Sequence, residues 1–293
     1  MTARRNALVT GCSTGIGWAS ALDLVQRGWR VFATVRRAED AGALCKAAEH
    51  AENLIPVLLD VTDPESIESA GKQVSDALAG EPLHGLVQNA GIANFGPLEV
   101  MPIDFFTRQL DVNLTGVLRV TQAMLPLMRQ GDAPKGSRTI VMISSINGQV
   151  GTPLGGAYCA SKFGLEGLSD TLRRELLSQE IDVVVVEPGA IETAIWETSK
   201  RRAEGLMPEL EANPAMPLYR RFIDSMMERV RRIEKQAIPA ERVAVVITRS
   251  LERPRPAVRV RVGNDAIVGY LLQRILPTRL FDKLVVHDMT RST

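Results

Sequence analysis

Cysteine is scarce: Cys12, Cys45 and Cys159 are the three in a chain of 293 residues. An odd number of thiols cannot all pair within one chain, and three are too few for a disulfide scaffold. No C-x-x-C or Cys/His cluster has metal-ligand spacing, and His50, His84 and His287 lie in unrelated segments. An excess of one charge is also missing, since 35 basic residues face 34 acidic ones. That balance removes any global electrostatic reason to expect nucleic acid or an anionic membrane as partner. No apolar run approaches the roughly 18 residues of a bilayer span. A strand-like run starts within a few residues of Met1, which leaves no room for a secretory signal. The expectation is a cytoplasmic protein with no transmembrane segment. What is present is ordinary for a globular chain, 45% apolar and 24% charged.

The first two-thirds alternate short β-branched runs with longer helical patterns. Strands are expected at Ala7–Thr10, Arg30–Thr34, Leu54–Leu59, Gly85–Gln88, Thr139–Ser144 and Asp182–Val186. Ile140-Val141-Met142-Ile143 and Val183-Val184-Val185-Val186 are apolar at every position, as a sheet covered on both faces requires. Helices are expected at Ile16–Arg27, Glu39–Glu49, Pro64–Leu78, Pro102–Arg129 and Tyr158–Ser178. Repeated strand–helix–strand units imply an α/β fold: a doubly wound, Rossmann-type parallel sheet flanked by helices. The whole chain, 1–293, reads as one such domain. Residues 193–256 are helical and charged, and read as a C-terminal substrate-binding lid inserted late in the sheet. Residues 257–293 carry a last strand, Ala257–Val262, and an apolar-basic tail, Thr278–Met289, that reads as a cover over the core, with membrane contact as the alternative.

Ala7-Leu8-Val9-Thr10 runs into Gly11-Cys12-Ser13-Thr14-Gly15-Ile16-Gly17 and then into a helix. Glycines at 11, 15 and 17 permit a tight turn and a close backbone approach to a pyrophosphate, at which the helix points its positive end. A structural turn would use the same residues, but placement directly after the first strand favours the phosphate. With this G-x-x-x-G-x-G spacing the chain resembles the short-chain dehydrogenase/reductase family. Further marks of that family follow in order: Asp60, Asn89-Ala90-Gly91, Asn113, Ser145, Tyr158-x-x-x-Lys162, and Pro188-Gly189 followed by Thr193. The resemblance covers Asn6 to Thr193 closely and the remainder loosely. It implies a nicotinamide cofactor contacted by Gly11, Ser13, Thr14, Gly15, Ile16 and Gly17, with Asp60 and Val61 at the adenine. Asn89, Ala90 and Gly91 would line the cofactor path. Tyr158, Lys162, Pro188, Gly189, Ile191 and Thr193 would border the nicotinamide half.

The end of the second strand discriminates between cofactors. An NAD enzyme places Asp or Glu there to accept the ribose 2′-OH, whereas this chain reads Ala33-Thr34-Val35-Arg36-Arg37. Val35 stands where the family's selecting acid falls. A guanidinium can pair bidentately with a 2′-phosphate that a carboxylate would repel. Arg36 and Arg37 therefore point to NADP(H), against the alternative of two solvated surface charges.

Tyr158 and Lys162 are four residues apart and share a helix face. A phenol of pKa about 10 is a poor base at neutral pH, and a nearby ammonium favours the phenolate. Such a pair is commonly a surface pair; Ser145, thirteen residues earlier at a strand end, argues otherwise. In the resembled family the serine steadies the substrate oxygen, the tyrosine exchanges its proton, the lysine holds the ribose, and Asn113 completes a water-mediated relay. The expected reaction interconverts a secondary alcohol and a ketone. Alternatives are a non-catalytic nucleotide sensor, which would not need the trio, and a smaller keto substrate.

For the substrate, Val150–Ala157 and Thr193–Phe222 are expected to border the pocket. Val150, Leu154, Ile195, Trp196, Leu206, Met207, Met216, Leu218, Tyr219 and Phe222 make that border apolar, unless some are simply core residues of the lid. Substrate contacts are expected from Ser145, Val150, Leu154, Tyr158, Trp196 and Tyr219. The stretch Tyr158–Gly167 and the long C-terminus resemble the hydroxysteroid and retinol dehydrogenase branch, implying a steroid, retinoid or similar hydrophobic alcohol or ketone. Phe163, Leu165, Leu168, Leu172 and Leu176 give one helix more apolar surface than a sheet face covers, so a homodimer or homotetramer is expected.

Overall fold

The runs that are apolar at every position become sheet strands with both faces covered. The computed structural model describes residues 4–132, 134, 136–226, 228 and 237–290. In chain order its elements begin β1 (Asn6–Val9), α1 (Gly15–Gln26), β2 (Arg30–Val35), α2 (Ala38–Ala47), β3 (Leu54–Leu58), α3 (Pro64–Leu78) and β4 (Gly85–Gln88). Next come α4 (Ile103–Leu110), a π turn (Asp111–Thr115), α5 (Gly116–Met128), β5 (Arg138–Ile143), α6 (Gly156–Glu175) and β6 (Ile181–Pro188). The last third holds β7 (Ile191–Glu192), α7 (Ile195–Glu211), β8 (Ile238–Pro239), α8 (Ala240–Glu252), β9 (Arg259–Val262), α9 (Asn264–Ile275) and α10 (Thr278–Thr290). The main sheet has the order β3-β2-β1-β4-β5-β6-β9, parallel throughout. The expected doubly wound sheet is therefore present, and the strand order reverses between β1 and β4.

Alternating side chains feed two cores. Leu8, Phe32, Leu86 and Ile140 face one way and pack with Ile67 and Val74 of α3, Val120 and Met124 of α5 and Leu165 of α6. Ala7, Val9, Val87 and Val141 face the other way, against Leu24 of α1 and Val243 and Ile247 of α8. α3 starts where the sequence signals it: Pro64 occupies the first turn and the Asp63 carboxylate accepts from Glu65 N–H at 3.0 Å.

The late region differs from the sequence reading in two ways. α8 falls inside the expected lid, yet its apolar stripe Ala240, Val243, Ala244, Ile247 and Leu251 is buried in the core, so this stretch is a sheet-covering helix. The expected helical segment also runs through 227 and 229–235, which lie outside the described residues. The tail does not cover the core: in α9 only Ala266 is buried, and Leu280, Leu284 and Val286 of α10 are exposed. β9, by contrast, is tied firmly to its neighbours. Arg261 Nε lies 2.8 Å from the buried Glu187 carboxylate, and Arg259 reaches Glu166 at 3.1 Å and Asp170 at 2.9 Å on α6. Among the described residues no helix is long and apolar enough to cross a membrane.

Candidate active site

Loops at the carboxyl ends of the strands converge on one cavity of about 800 Å³ around the β1/β4 reversal, where ligands of such sheets bind. The glycine loop leaves β1 and enters α1 there. Gly15 has φ +60°, and an added Cβ would press on Thr193, so the turn has room for glycine alone. At Gly17 a Cβ would collide with the Gly11 carbonyl and the Asn89 side chain, which lets α1 start flush against the sheet. The second loop is stitched to the first. Asn89 Nδ2 donates to the carbonyls of Thr10 (2.8 Å) and Gly11 (3.1 Å), and Thr10 Oγ1 accepts from the N–H groups of Asn89 and Ala90. This cradle, with the N-terminus of α1 behind it, fits a dinucleotide.

Gly11, Ser13, Thr14, Gly15, Ile16, Arg36, Arg37, Asp60, Val61, Asn89, Ala90, Gly91, Ser145, Tyr158, Lys162, Pro188, Gly189, Ile191, Thr193 and Trp196 all line the cavity. Gly17 lies behind the loop. Arg36 and Arg37 differ in state. The Arg37 guanidinium forks onto Asp40 (3.1 and 2.9 Å), whereas the Arg36 side chain makes no hydrogen bond or ion pair among the described residues. Burial opposes ionisation of Asp60, but hydrogen bonds from Thr62 and the charges of Arg36 and Arg108 prevail and hold its carboxyl below the usual range.

At the other end Ser145 follows β5 and caps a short 3-10 turn, its Oγ accepting from Asn147 N–H at 3.2 Å. Tyr158 stands on α6 and is hydrogen-bonded to Ser145. Lys162, one turn on, donates from Nζ to the Ile143 carbonyl at 2.8 Å and sits 5.7 Å from the centre of the Tyr158 ring. Ser145, Tyr158 and Lys162 are thus brought together. The expected lowering of the phenol by the ammonium is not what this geometry produces. Burial pushes Tyr158 up to about 12 against the Ser145 hydrogen bond, and burial brings Lys162 down to about 8.

Asn113 lies in the π turn, 1% exposed and behind the cavity wall. Its Oδ1 accepts from Ile92 N–H at 2.9 Å, and its Nδ2 donates to the Ile92 carbonyl at 2.9 Å and to Ser161 Oγ at 3.1 Å. The side chain thus holds the 92 loop against α6 and does not itself line the cavity.

Several expected substrate contacts fall elsewhere. Val150, Leu154 and Tyr219 do not line the cavity: Val150 is buried, Leu154 has left-handed backbone at φ +64°, and the Tyr219 hydroxyl bonds the Glu99 carboxylate. Leu206, Met207 and Met216 pack with Val100, Leu210 and Phe105 in a cluster of their own. Trp196 does line the site, its Nε1 donating to the Ile191 carbonyl at 2.9 Å. The residue missed by sequence reasoning is Phe95, whose ring stacks on Trp196 (6.5 Å, 6° between planes) and tilts against Tyr158 (6.2 Å). No local motif marks it.

Burial pushes the Cys12 thiol far up, and its Sγ donates to the Val9 carbonyl, so it packs as a small apolar group.

Residues 5–204 match the family described as short chain dehydrogenase. The chain is 30% identical over 289 residues to an NADPH-dependent 3-dehydrocapnine reductase of Ornithobacterium rhinotracheale, covering 99% of each. It is 34% identical to retinol dehydrogenase 16 of Mus musculus, over 94% of this chain and 86% of that one. The crystal structure of a short-chain dehydrogenase from Streptomyces avermitilis superposes with a TM-score of 0.75 at 26% identity, covering 98% of this chain and 97% of that one. With the glycine cradle, the reversal-point cavity and the Ser145–Tyr158–Lys162 cluster in place, the chain belongs to the short-chain dehydrogenase family and is an oxidoreductase that uses a nicotinamide cofactor.

Proposed function

We propose that the protein is an NADP(H)-dependent oxidoreductase interconverting a secondary alcohol and a ketone on a hydrophobic substrate of the steroid or retinoid kind. One observation carries this reading: Ser145, Tyr158 and Lys162 meet at the apolar, aromatic end of a cavity whose other end holds Arg36, which has no hydrogen bond or ion pair among the described residues. A 2′-phosphate supplies an anion for Arg36, and Val35 puts no carboxylate at the end of β2 to repel it. The relatives named as an NADPH-dependent reductase and as a retinol dehydrogenase support both halves of the proposal.

The bound cofactor supplies the hydride chemistry. Tyr158 is a protonated phenol at neutral pH, burial reinforces that state, and its O–H is the proton source for a carbonyl oxygen during reduction. Ser145 steadies the charge that develops on that oxygen. Lys162, held by the Ile143 carbonyl, brings a positive charge beneath the phenol and toward the ribose side of the cavity. Asn113 is a positioning residue for the 92 loop and α6. The Phe95–Trp196 stack forms the flat apolar wall against which a ring system packs. Ile195, Trp196, Thr198, Ser199, Arg201 and Arg202 of α7 line the cavity and serve as the lid.

The test is calorimetric and catalytic. The protein should hold NADPH well above NADH, and Arg36→Asp should shift that preference toward NADH by roughly 2–4 kcal/mol. NADPH consumption should appear with ketosteroids or retinal and exceed that with small β-keto compounds. Equal affinity of the parent for both cofactors rejects the cofactor assignment; turnover confined to small keto compounds rejects the substrate class.

A further inference from the structure

Arginine crowds one end of the cavity. Arg36, Arg37, Arg108, Arg201 and Arg202 line it, and they arrive from β2, α4 and α7. Arg37 is neutralised by Asp40. The side chains of Arg36, Arg108, Arg201 and Arg202 make no hydrogen bond or ion pair among the described residues, and the Nη1 atom of the half-buried Arg202 is buried without a partner. The acids lining the cavity do not balance them. Asp40 is taken by Arg37, and Asp265 accepts from Ala190 N–H at 2.7 Å at the far end, which leaves Asp60 and Asp104 against four guanidinium groups. Burial, followed by the charges of Arg36, Arg108 and Arg201, holds Arg202 below the usual arginine range. Like charges gathered around a partly dry cavity are costly unless an anion joins them.

We propose that Arg202 and Arg108 complete, with Arg36, a binding site for the 2′-phosphate of the cofactor, so that α7 closes over the adenosine end as well as over the substrate. This deepens the NADP(H) reading and rests on it. The position of the cluster selects the phosphate monoester over other anions. Arg36 and Arg108 both act on Asp60, at the end of the cavity opposite Ser145 and Tyr158, while a pyrophosphate belongs at the glycine loop and the start of α1. One helix serves both ends, because Trp196 and Arg202 are six residues, about 9 Å, apart along α7. Capture of the phosphate by Arg202 therefore fixes the helix that carries the aromatic wall, and cofactor identity is sensed by the element that shapes the substrate pocket.

Arg202→Gln removes the charge and keeps a polar, though shorter, side chain. Titration calorimetry on the full chain with NADPH, NADH, 2′,5′-ADP and 5′-AMP reads the outcome. The variant is expected to lose about tenfold or more in affinity for NADPH and 2′,5′-ADP, as a charge-assisted contact implies, while NADH and 5′-AMP stay within about twofold. Retained NADH binding also shows that the variant is folded; Arg108→Gln provides the second, independent element, with the same expected pattern. An unchanged NADPH affinity in Arg202→Gln overturns the inference and leaves the NADP(H) reading standing. Equal losses for NADPH and NADH overturn it too, since a structural or pyrophosphate role acts on both. If only the KM of acidic substrates rises, the anion belongs to the substrate and the assignment fails. A parent protein that holds NADPH no tighter than NADH overturns the inference together with the cofactor reading.

Discussion

Tyr158 and Lys162 occupy one helix face, and burial moves them in opposite senses: the phenol resists losing its proton and the ammonium resists keeping its own. Removing only the phenolic oxygen separates chemistry from binding. Tyr158→Phe should bind NADPH as the parent does and lose at least about 10²–10⁴ in turnover, measured on a substrate found by the ketone screen; near-normal turnover would dismiss Tyr158 as the proton source. Lys162 makes a second prediction possible. Its folded pKa of about 8 lies below the usual 10.5, so between those values the unfolded chain binds a proton that the folded one does not. Stability of the parent relative to Lys162→Met should then rise with pH across that window, by up to about 1.4 kcal/mol per pH unit, in urea unfolding. A flat difference from pH 8 to pH 10 would show that burial does not act on Lys162 in this way. Both residues were legible because their spacing is short and their chemistry unusual. Phe95, Arg108 and Arg202 were not, because each reaches the cavity through tertiary approach of an element whose local sequence reads as an ordinary loop or charged helix.

At the scale of elements, periodicity located nearly every strand and helix of the sheet and failed where a helix changes its winding or its neighbour. The single helix expected over Pro102–Arg129 is α4 and α5 joined by a π turn, and that turn aims Asn113 at the Ile92 backbone. A one-residue excess leaves the 3.6-residue pattern intact on either side, so it is invisible to hydrophobic spacing. α8 failed differently. Its sequence carries an amphipathic stripe, but a stripe does not say which surface it covers, and the charged stretch before it points to the lid. Packing against α1 decides the matter, and a core substitution checks it. Ile247→Ala, at a fully buried site, should cost about 2–5 kcal/mol in urea unfolding and leave substrate KM unchanged. A changed KM with an unchanged unfolding midpoint would return α8 to the lid.

Association of whole molecules turns on what the sheet leaves uncovered. Of the five apolar side chains on the catalytic helix that suggested a partner, Leu165, Leu172 and Leu176 are buried in the chain's own core and Leu168 packs against it. Phe163 is the exception, 44% exposed, with Ala160 and Gly167 also exposed one turn away on either side and Thr171 exposed two turns on. Small residues around one aromatic ring make a flat face on which the same helix of a second copy can lie antiparallel, an isologous contact that closes after two subunits. We therefore expect a homodimer in solution, in which light scattering at micromolar concentration reads twice the chain mass of 32.0 kDa. Phe163→Glu places a charge at the centre of that face and should return the mass to that of one chain. A parent that already scatters as a single chain rejects the dimer. A variant that keeps the double mass moves the contact away from α6, to a surface such as the exposed apolar residues Ile267, Leu271 and Ile275 of α9.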